Sequence, residues 1–238
     1  MDFVWLEWSL LFLGIWGAVY ARLRDRAGRH EMLVVSAWTS LLALTEPLFV
    51  PEYWNPPSLF GLAQSTGFDI ESFIFCWSIG GLAVVLYELF VPVRHVPIPP
   101  GSPSYVLHPV ALVATPLLFA VLLFTTGLNP IYCAIIALGS GGCLVVVSRR
   151  DLTRKMFTSA VIFLGLYTAF FITLELAVPG YVQRVWDLSV LSGVTVSGIP
   201  VEELGFAFSF GFFWSGIYEY ALDLRLRRKT AAAPPAAG

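Results

Sequence analysis

Ile199-Pro200-Val201-Glu202-Glu203-Leu204 runs directly into Gly205–Ala221, an apolar stretch crowded with phenylalanine. Two adjacent carboxylates therefore stand at the mouth of a hydrocarbon-like run. A carboxylate at bilayer depth costs roughly 2.5–3.5 kcal/mol even on lenient insertion scales. Such a pair either carries chemistry or lies just outside the bilayer as a helix cap, and the flanking sequence has to decide.

Those flanks read as membrane. Of the 238 residues 57% are hydrophobic and 13% charged, against about 25% charged in soluble domains; mean hydropathy is +0.77. Apolar runs of about 20 residues read as spanning helices. Seven are expected, at roughly 3–21, 32–50, 70–91, 107–126, 131–148, 156–178 and 201–221. Of the 14 Lys and Arg, all but Arg184 fall at Arg22–Arg29, Arg94, Arg149–Lys155 and Arg225–Lys229. With seven spans these four places share one side, so the positive-inside rule puts the N-terminus outside and the C-terminus in the cytoplasm of a plasma-membrane protein. The arginines follow the first apolar run, so that run is expected to be an uncleaved anchor. Cys76, Cys133 and Cys143 lie inside spans and read as small buried hydrophobes.

The chain also repeats itself. Leu44-Thr45-Glu46, Val50-Pro51-Glu52-Tyr53, Asp69-Ile70-Glu71-Ser72 and Tyr87-Glu88 recur in order as Thr173-Leu174-Glu175, Val178-Pro179-Gly180-Tyr181, Pro200-Val201-Glu202-Glu203 and Tyr218-Glu219. Without a gap, Glu71, Phe75, Ser78, Gly80, Tyr87 and Glu88 align with Glu202, Phe206, Ser209, Gly211, Tyr218 and Glu219. Spans 1–3 then correspond to spans 5–7 in the same orientation, a parallel repeat. The expected fold is all-α and membrane-integral, with two parallel three-helix repeats joined by a spacer helix. Residues 1–92 form the first unit, 93–127 a proline-rich linker and the spacer, 128–224 the second unit, and 225–238 a basic, disordered cytoplasmic tail.

The acids gather where paired spans meet the outer loops: Glu46 and Glu175 end one helix in each half, while Glu71 and Glu202/Glu203 begin the next. Carboxyls crowded at the edge of hydrocarbon can divide into a proton donor and a proton acceptor. Neighbouring side chains leave a helix about 100° apart, and Glu202 is read as the inward one because Glu71 matches it. Glu203 is then its supporting partner. Below Glu202, Phe206, Ser209, Phe213 and Trp214 are candidates to line a substrate channel, with Phe75 and Ser78 from the first half; aromatic faces stabilise cations by about 0.5–2 kcal/mol. Tyr53, Trp54, Tyr181 and Trp186 suit an interfacial aromatic belt. Glu88 and Glu219, with Tyr87 and Tyr218, read as anchors at the opposite interface. No lysine lies in the seventh run to form a retinal Schiff base, and His30, His95 and His108 are too scattered for a multi-histidine iron site. No metal or cofactor is indicated, and nothing suggests nucleic-acid binding.

Pro200-Val201-Glu202-Glu203 with its Phe-rich span, the Glu46 and Glu175 helix ends and the Val-Pro-x-Tyr turns resemble the membrane-integral lycopene cyclases. In these, two small subunits or one fused chain carry P-x-E-[ED] in each half. The resemblance covers about 1–224. The first half departs from the pattern, with Asp69-Ile70-Glu71-Ser72 lacking the proline and the second acid. The resemblance implies a fused single-chain lycopene β-cyclase that forms β-ionone rings by acid-initiated cyclisation without net redox. Its catalytic acids would be Glu202, Glu203, Glu71, Glu175 and Glu46. Its partners would be lycopene or a related long polyene, the bilayer, and other enzymes of carotenoid biosynthesis. A cyclase of a C50 carotenoid, a proton- or ion-translocating protein and a non-catalytic carotenoid-binding protein are the alternatives.

Overall fold

The computed structural model describes residues 3–99 and 109–228. It is mostly helical. The helices are α1 (Val4–Arg22), α2 (Arg26–Ser40), α3 (Leu62–Thr66), α4 (Ile70–Phe90), α5 (Val110–Thr125), α6 (Pro130–Ser148), α7 (Thr153–Ala177), α8 (Tyr181–Val185), α9 (Val201–Trp214) and α10 (Ile217–Ala221). Two short strand pairs interrupt the helical pattern: β1 (Val93–Pro97) with β4 (Leu224–Arg228), and β2 (Thr195–Val196) with β3 (Ile199–Pro200).

Among the described residues, four helical segments are long and apolar enough to cross a membrane: Val4–Arg22, Ile70–Phe90, Pro130–Ser148 and Arg150–Ala177. The other three apolar runs are broken or short as helices. After α2 the chain tightens into a 3-10 segment, Leu41–Leu48, that contains Pro47, whose missing N–H and ring cannot continue an α-helix. The spacer is an apolar helix of 16 residues. The last run bends at Ser215-Gly216 between α9 and α10, where Gly216 leaves room for Met156.

Side-chain chemistry sets the helix starts. Asp69 accepts the Ser72 N–H to cap α4. Asn129 accepts the Ile131 N–H at 3.1 Å to cap α6, with Pro130 in the first turn, where a missing N–H costs nothing. Asp25 does the same for α2 through Ala27 at 3.2 Å.

α4 packs against α1 and α2, and α9 packs against α6 and α7, while α4 also meets α7. Small residues permit these approaches, as is usual where helices meet in lipid. Thr39 of α2 occupies the space a side chain at Gly80 would need, and Ser36 and Trp16 occupy that at Gly81. At Gly211 the neighbours are Ala160 and Phe163 of α7, at 3.1 and 3.0 Å from an added Cβ.

At one end of the bundle β1 and β4 run antiparallel, in register from Val93↔Arg228 to Pro97↔Leu224. Residues 224–228 are thus strand, where a disordered tail is expected from 225. The backbone of β4 is held by β1 and by the buried Arg149, which donates to the Leu224 carbonyl at 2.5 Å. Residues 229–238, much of the 97–103 linker and His108 lie outside the described residues.

Gly80→Val drives a branched side chain into Thr39. It should cost about 1–3 kcal/mol of stability, read by unfolding in detergent. Gly14→Val, with open space around it, should leave the unfolding midpoint nearly unchanged.

Candidate active site

The bundle encloses an apolar cavity of about 430 Å³. Its walls come from both sets of helices: Phe75, Cys76 and Ile79 on α4, Tyr167, Phe170 and Phe171 on α7, and Phe206, Phe210, Phe213 and Trp214 on α9. Leu42, Thr45 and Phe49 close one side, and Leu112, Thr115, Pro116 and Phe119 of α5 face them. Tyr167 holds the two sets together, with ring centroids 6.3 Å from both Phe75 and Phe206.

Two carboxyls reach this cavity, Glu203 and Glu46. Glu203 is buried and its oxygens are met by three donors. Tyr53 donates its hydroxyl to Oε1, Trp186 donates its indole N–H to the same oxygen at 2.8 Å, and the Tyr167 hydroxyl meets Oε2 at 2.7 Å. Burial and the adjacent Glu203 carboxylate push the Tyr53 hydroxyl well above its ordinary pKa, so it remains a donor. Glu46 is different: its Oε1 is buried with no hydrogen-bond partner.

Backbone pairing between the two loops delivers these donors. Trp54 and Trp186 form an antiparallel bridge, flanked by Asn55 N–H to Val185 C=O at 2.8 Å and Asp187 N–H to Tyr53 C=O at 3.0 Å. Tyr53 and Trp186 are thereby turned inward together. Tyr53, Trp54, Tyr181 and Trp186 are all buried, so they do not form the expected belt. In Tyr53 and Trp186 the polar tip that would face water at an interface binds a buried carboxylate instead.

Glu202, expected to face the substrate, does not line the cavity. It accepts the Ser192 N–H at 2.8 Å and the Tyr132 hydroxyl at 2.6 Å, which holds the preceding loop and α6 to the start of α9. The inward carboxylate is its neighbour. Glu71 plays a matching part, taking the Leu59 N–H at 2.7 Å. Glu175 accepts the N–H groups of Gly180 and Val182 at 3.0 and 2.7 Å and so secures the turn into α8. Of the other expected contacts, Phe206, Phe213, Phe75 and Trp214 line the cavity, whereas Ser209 and Ser78 do not. The Ser78 hydroxyl donates back to Ile74 C=O at 2.7 Å, so its polarity is absorbed by its own helix.

Sequence reasoning missed Tyr167, and it missed a second polar cluster altogether. Under the β1–β4 pair, Lys155 Nζ lies 2.9 Å from Glu31, 3.2 Å from Glu88 and 2.6 Å from Glu219. His95 Nε2 lies 3.2, 3.4 and 3.1 Å from the same three. Glu88 and Glu219 are therefore not interfacial anchors; they are buried against one ammonium. Although one ligand atom from each of Glu31, Glu88, His95 and Glu219 falls within 4.8 Å of the others, Lys155 supplies the positive charge at their centre. Burial alone would lower the His95 pKa, but hydrogen bonds to Glu219, Glu31 and Glu88 outweigh it and push the group up to about 12.

The geometry is that of an apolar, aromatic cavity with two carboxyls on its wall. Residues 129–221, from the start of α6 to the end of α10, match the family model described as Lycopene cyclase. Through this segment the chain is similar to the lycopene cyclases. No curated protein and no solved structure matches it.

Lys155→Met leaves three buried carboxyls without their ammonium and should cost about 3–5 kcal/mol, measured by chemical unfolding in detergent. The His95 imidazolium faces Glu31, Glu88 and Glu219 as well as Lys155, with Tyr218 against its ring. Its raised pKa adds stability that is complete below the ordinary value of 6.5 and is lost as pH rises toward about 12. The melting temperature should fall between pH 7 and pH 10, and His95→Gln should flatten that slope.

Proposed function

We propose that the protein is a lycopene β-cyclase of the plasma membrane, closing the open ends of the polyene to β-rings without net redox. The family match supports carotenoid cyclisation in general. The observation that carries the finer reading is the placement of Glu203 and Glu46 on the wall of an otherwise apolar, aromatic cavity.

The chemistry divides between the two carboxyls by their partners. Glu46, with an oxygen that meets no donor, protonates the terminal double bond. A new C–H bond forms and a tertiary cation results. The neighbouring olefin attacks it, forming the ring C–C bond and moving the positive charge into the ring. Glu203, oriented by Tyr53, Tyr167 and Trp186, removes a ring proton and restores a double bond. One proton enters and one leaves, so product and substrate are isomers. Between those steps the faces of Phe75, Tyr167, Phe206 and Phe210 shelter the cation, at about 0.5–2 kcal/mol for each well-placed ring, and exclude the water that would quench it.

The chain in this reading spans the bilayer seven times, with the N-terminus outside and two parallel three-helix repeats about a spacer, α5. Three features support the repeat. α4 and α9 each pack against the two long helices preceding them within their set. Glu71 and Glu202 each accept an N–H of the loop before their helix. The central pair of the β1–β4 ladder is His95↔Leu226, and these two are separated in sequence by the same interval as Glu71 from Glu202 and Glu88 from Glu219.

Expression in lycopene-accumulating cells, followed by pigment chromatography, tests the activity; lycopene left unchanged by the wild-type chain refutes it. Glu203→Gln and Glu46→Gln should each lower conversion by about 10²–10⁴-fold while the protein remains in the membrane. Glu202→Gln should retain conversion within about tenfold and instead lower stability by roughly 1–3 kcal/mol. The reverse ranking of Glu202 and Glu203 would reassign the proton acceptor.

A further inference from the structure

We infer that the cavity opens sideways into the bilayer, between the Leu41–Leu48 segment and α5, and that a long polyene enters from the lipid through this gap. The inference rests on the cyclase reading and adds to it the route of the substrate.

Among the described residues that line the cavity, Leu42 and Pro116 are the exposed ones. Both contribute to the inner wall and also face the outside, and they come from the two elements that confront each other across the gap. The remaining walls are made of buried and half-buried side chains. The outer rims beside the gap are apolar and exposed: Leu41 and Leu44 on one side, Val113 and Leu117 on the other. No charged residue occurs in Leu41–Thr45 or in α5. An opening framed in this way meets hydrocarbon and not water.

Neither lip is a regular α-helix throughout. The 3-10 segment lacks the regular hydrogen bonding of an α-helix. On the opposite side Pro116 removes one N–H from the interior of α5, a frequent cause of helix bending. An aromatic contact spans the gap: Phe49 stacks on Phe119 with ring centroids 6.4 Å apart and planes within 15°. Parting this pair widens the gap beside Tyr53, whose ring meets Phe49 edge-on with centroids 6.1 Å apart. A polyene could then place one open end against Glu46 and Glu203 while the rest of its length trails into the lipid. This explains how a cavity of about 430 Å³, suited to one small-molecule end group, serves a much longer substrate.

The test uses the full chain with Cys76, Cys133 and Cys143 changed to alanine, carrying Phe49→Cys and Phe119→Cys, in liposomes. Bridging the two thiols with a bifunctional maleimide should lower lycopene conversion at least tenfold, while chains loaded with lycopene before bridging should still complete one turnover. Undiminished steady conversion by the bridged protein overturns the route. A second readout needs no catalysis. Leu42→Cys in the same background should react with a lipid-soluble maleimide, be spared by a membrane-impermeant one, and react at least threefold more slowly once lycopene is present. Labelling by the impermeant reagent, or equal labelling with and without lycopene, overturns the proposal. Absence of conversion in the wild-type chain refutes the cyclase reading, and the labelling result still decides the portal.

Discussion

A carboxylate buried in a membrane protein must find its donors inside the protein, because the surrounding hydrocarbon offers none. That constraint organises this molecule. Glu203 draws Tyr53 from one loop, Trp186 from the other and Tyr167 from α7, and in doing so ties three separate parts of the chain over one cavity. Glu71, Glu175 and Glu202 solve the same problem with backbone N–H groups, and each fixes a turn or loop in return. At the opposite end Lys155 and His95 serve three glutamates together. The acids that make the sequence look costly are the points at which the fold is fastened.

The cavity is less symmetrical than the repeated sequence. Its two carboxyls are not counterparts. Glu203 aligns with Ser72, and Glu46 with Glu175, which is occupied in holding the turn into α8. Each half thus contributes one acid from a different position. Two equivalent acids facing one apolar space would share an environment and compete for the same state of charge. Acids with unlike partners can hold different duties. Ser72 stands beside Glu71 where Glu203 stands beside Glu202, so it is α9 that supplies a carboxyl at that position.

Much of this was legible in the sequence. Apolar runs marked the helices, and matched acids marked where they begin and end. Which face of α9 is inward was not, because Glu202 and Glu203 fit two overlapping sets of phenylalanines. Counting from Glu203, Phe206, Phe210, Phe213, Trp214 and Ile217 recur at helical spacing, and all of them line the cavity. Counting from Glu202 keeps Phe206 and Phe213 but adds Ser209, which does not. The longer aromatic series was the available signal. Tyr53 and Trp186 were misread for a different reason: an amphipathic ring suits a bilayer surface and a buried carboxylate equally, and only the bridge between the loops distinguishes them. Tyr167, one tyrosine within a long apolar helix, left no pattern to read. The Lys155 cluster draws its members from five elements, and apart from Glu88 and His95 they lie far apart in the chain, so no local spacing betrays it.

The β1–β4 pair also bears on the order in which the molecule is made. Synthesis proceeds from the N-terminus, so Glu31 and Glu88 emerge well before Lys155. Glu219, Leu224 and the rest of β4 follow later still. The third carboxylate on Lys155 waits for Glu219 to leave the ribosome, and the ladder on β1 waits for residues 224–228. A chain cut short before β4 would leave the edge of β1 bare. Pairing of β4 is therefore a late structural event, and a product ended before it would present the unpaired strand edge of β1.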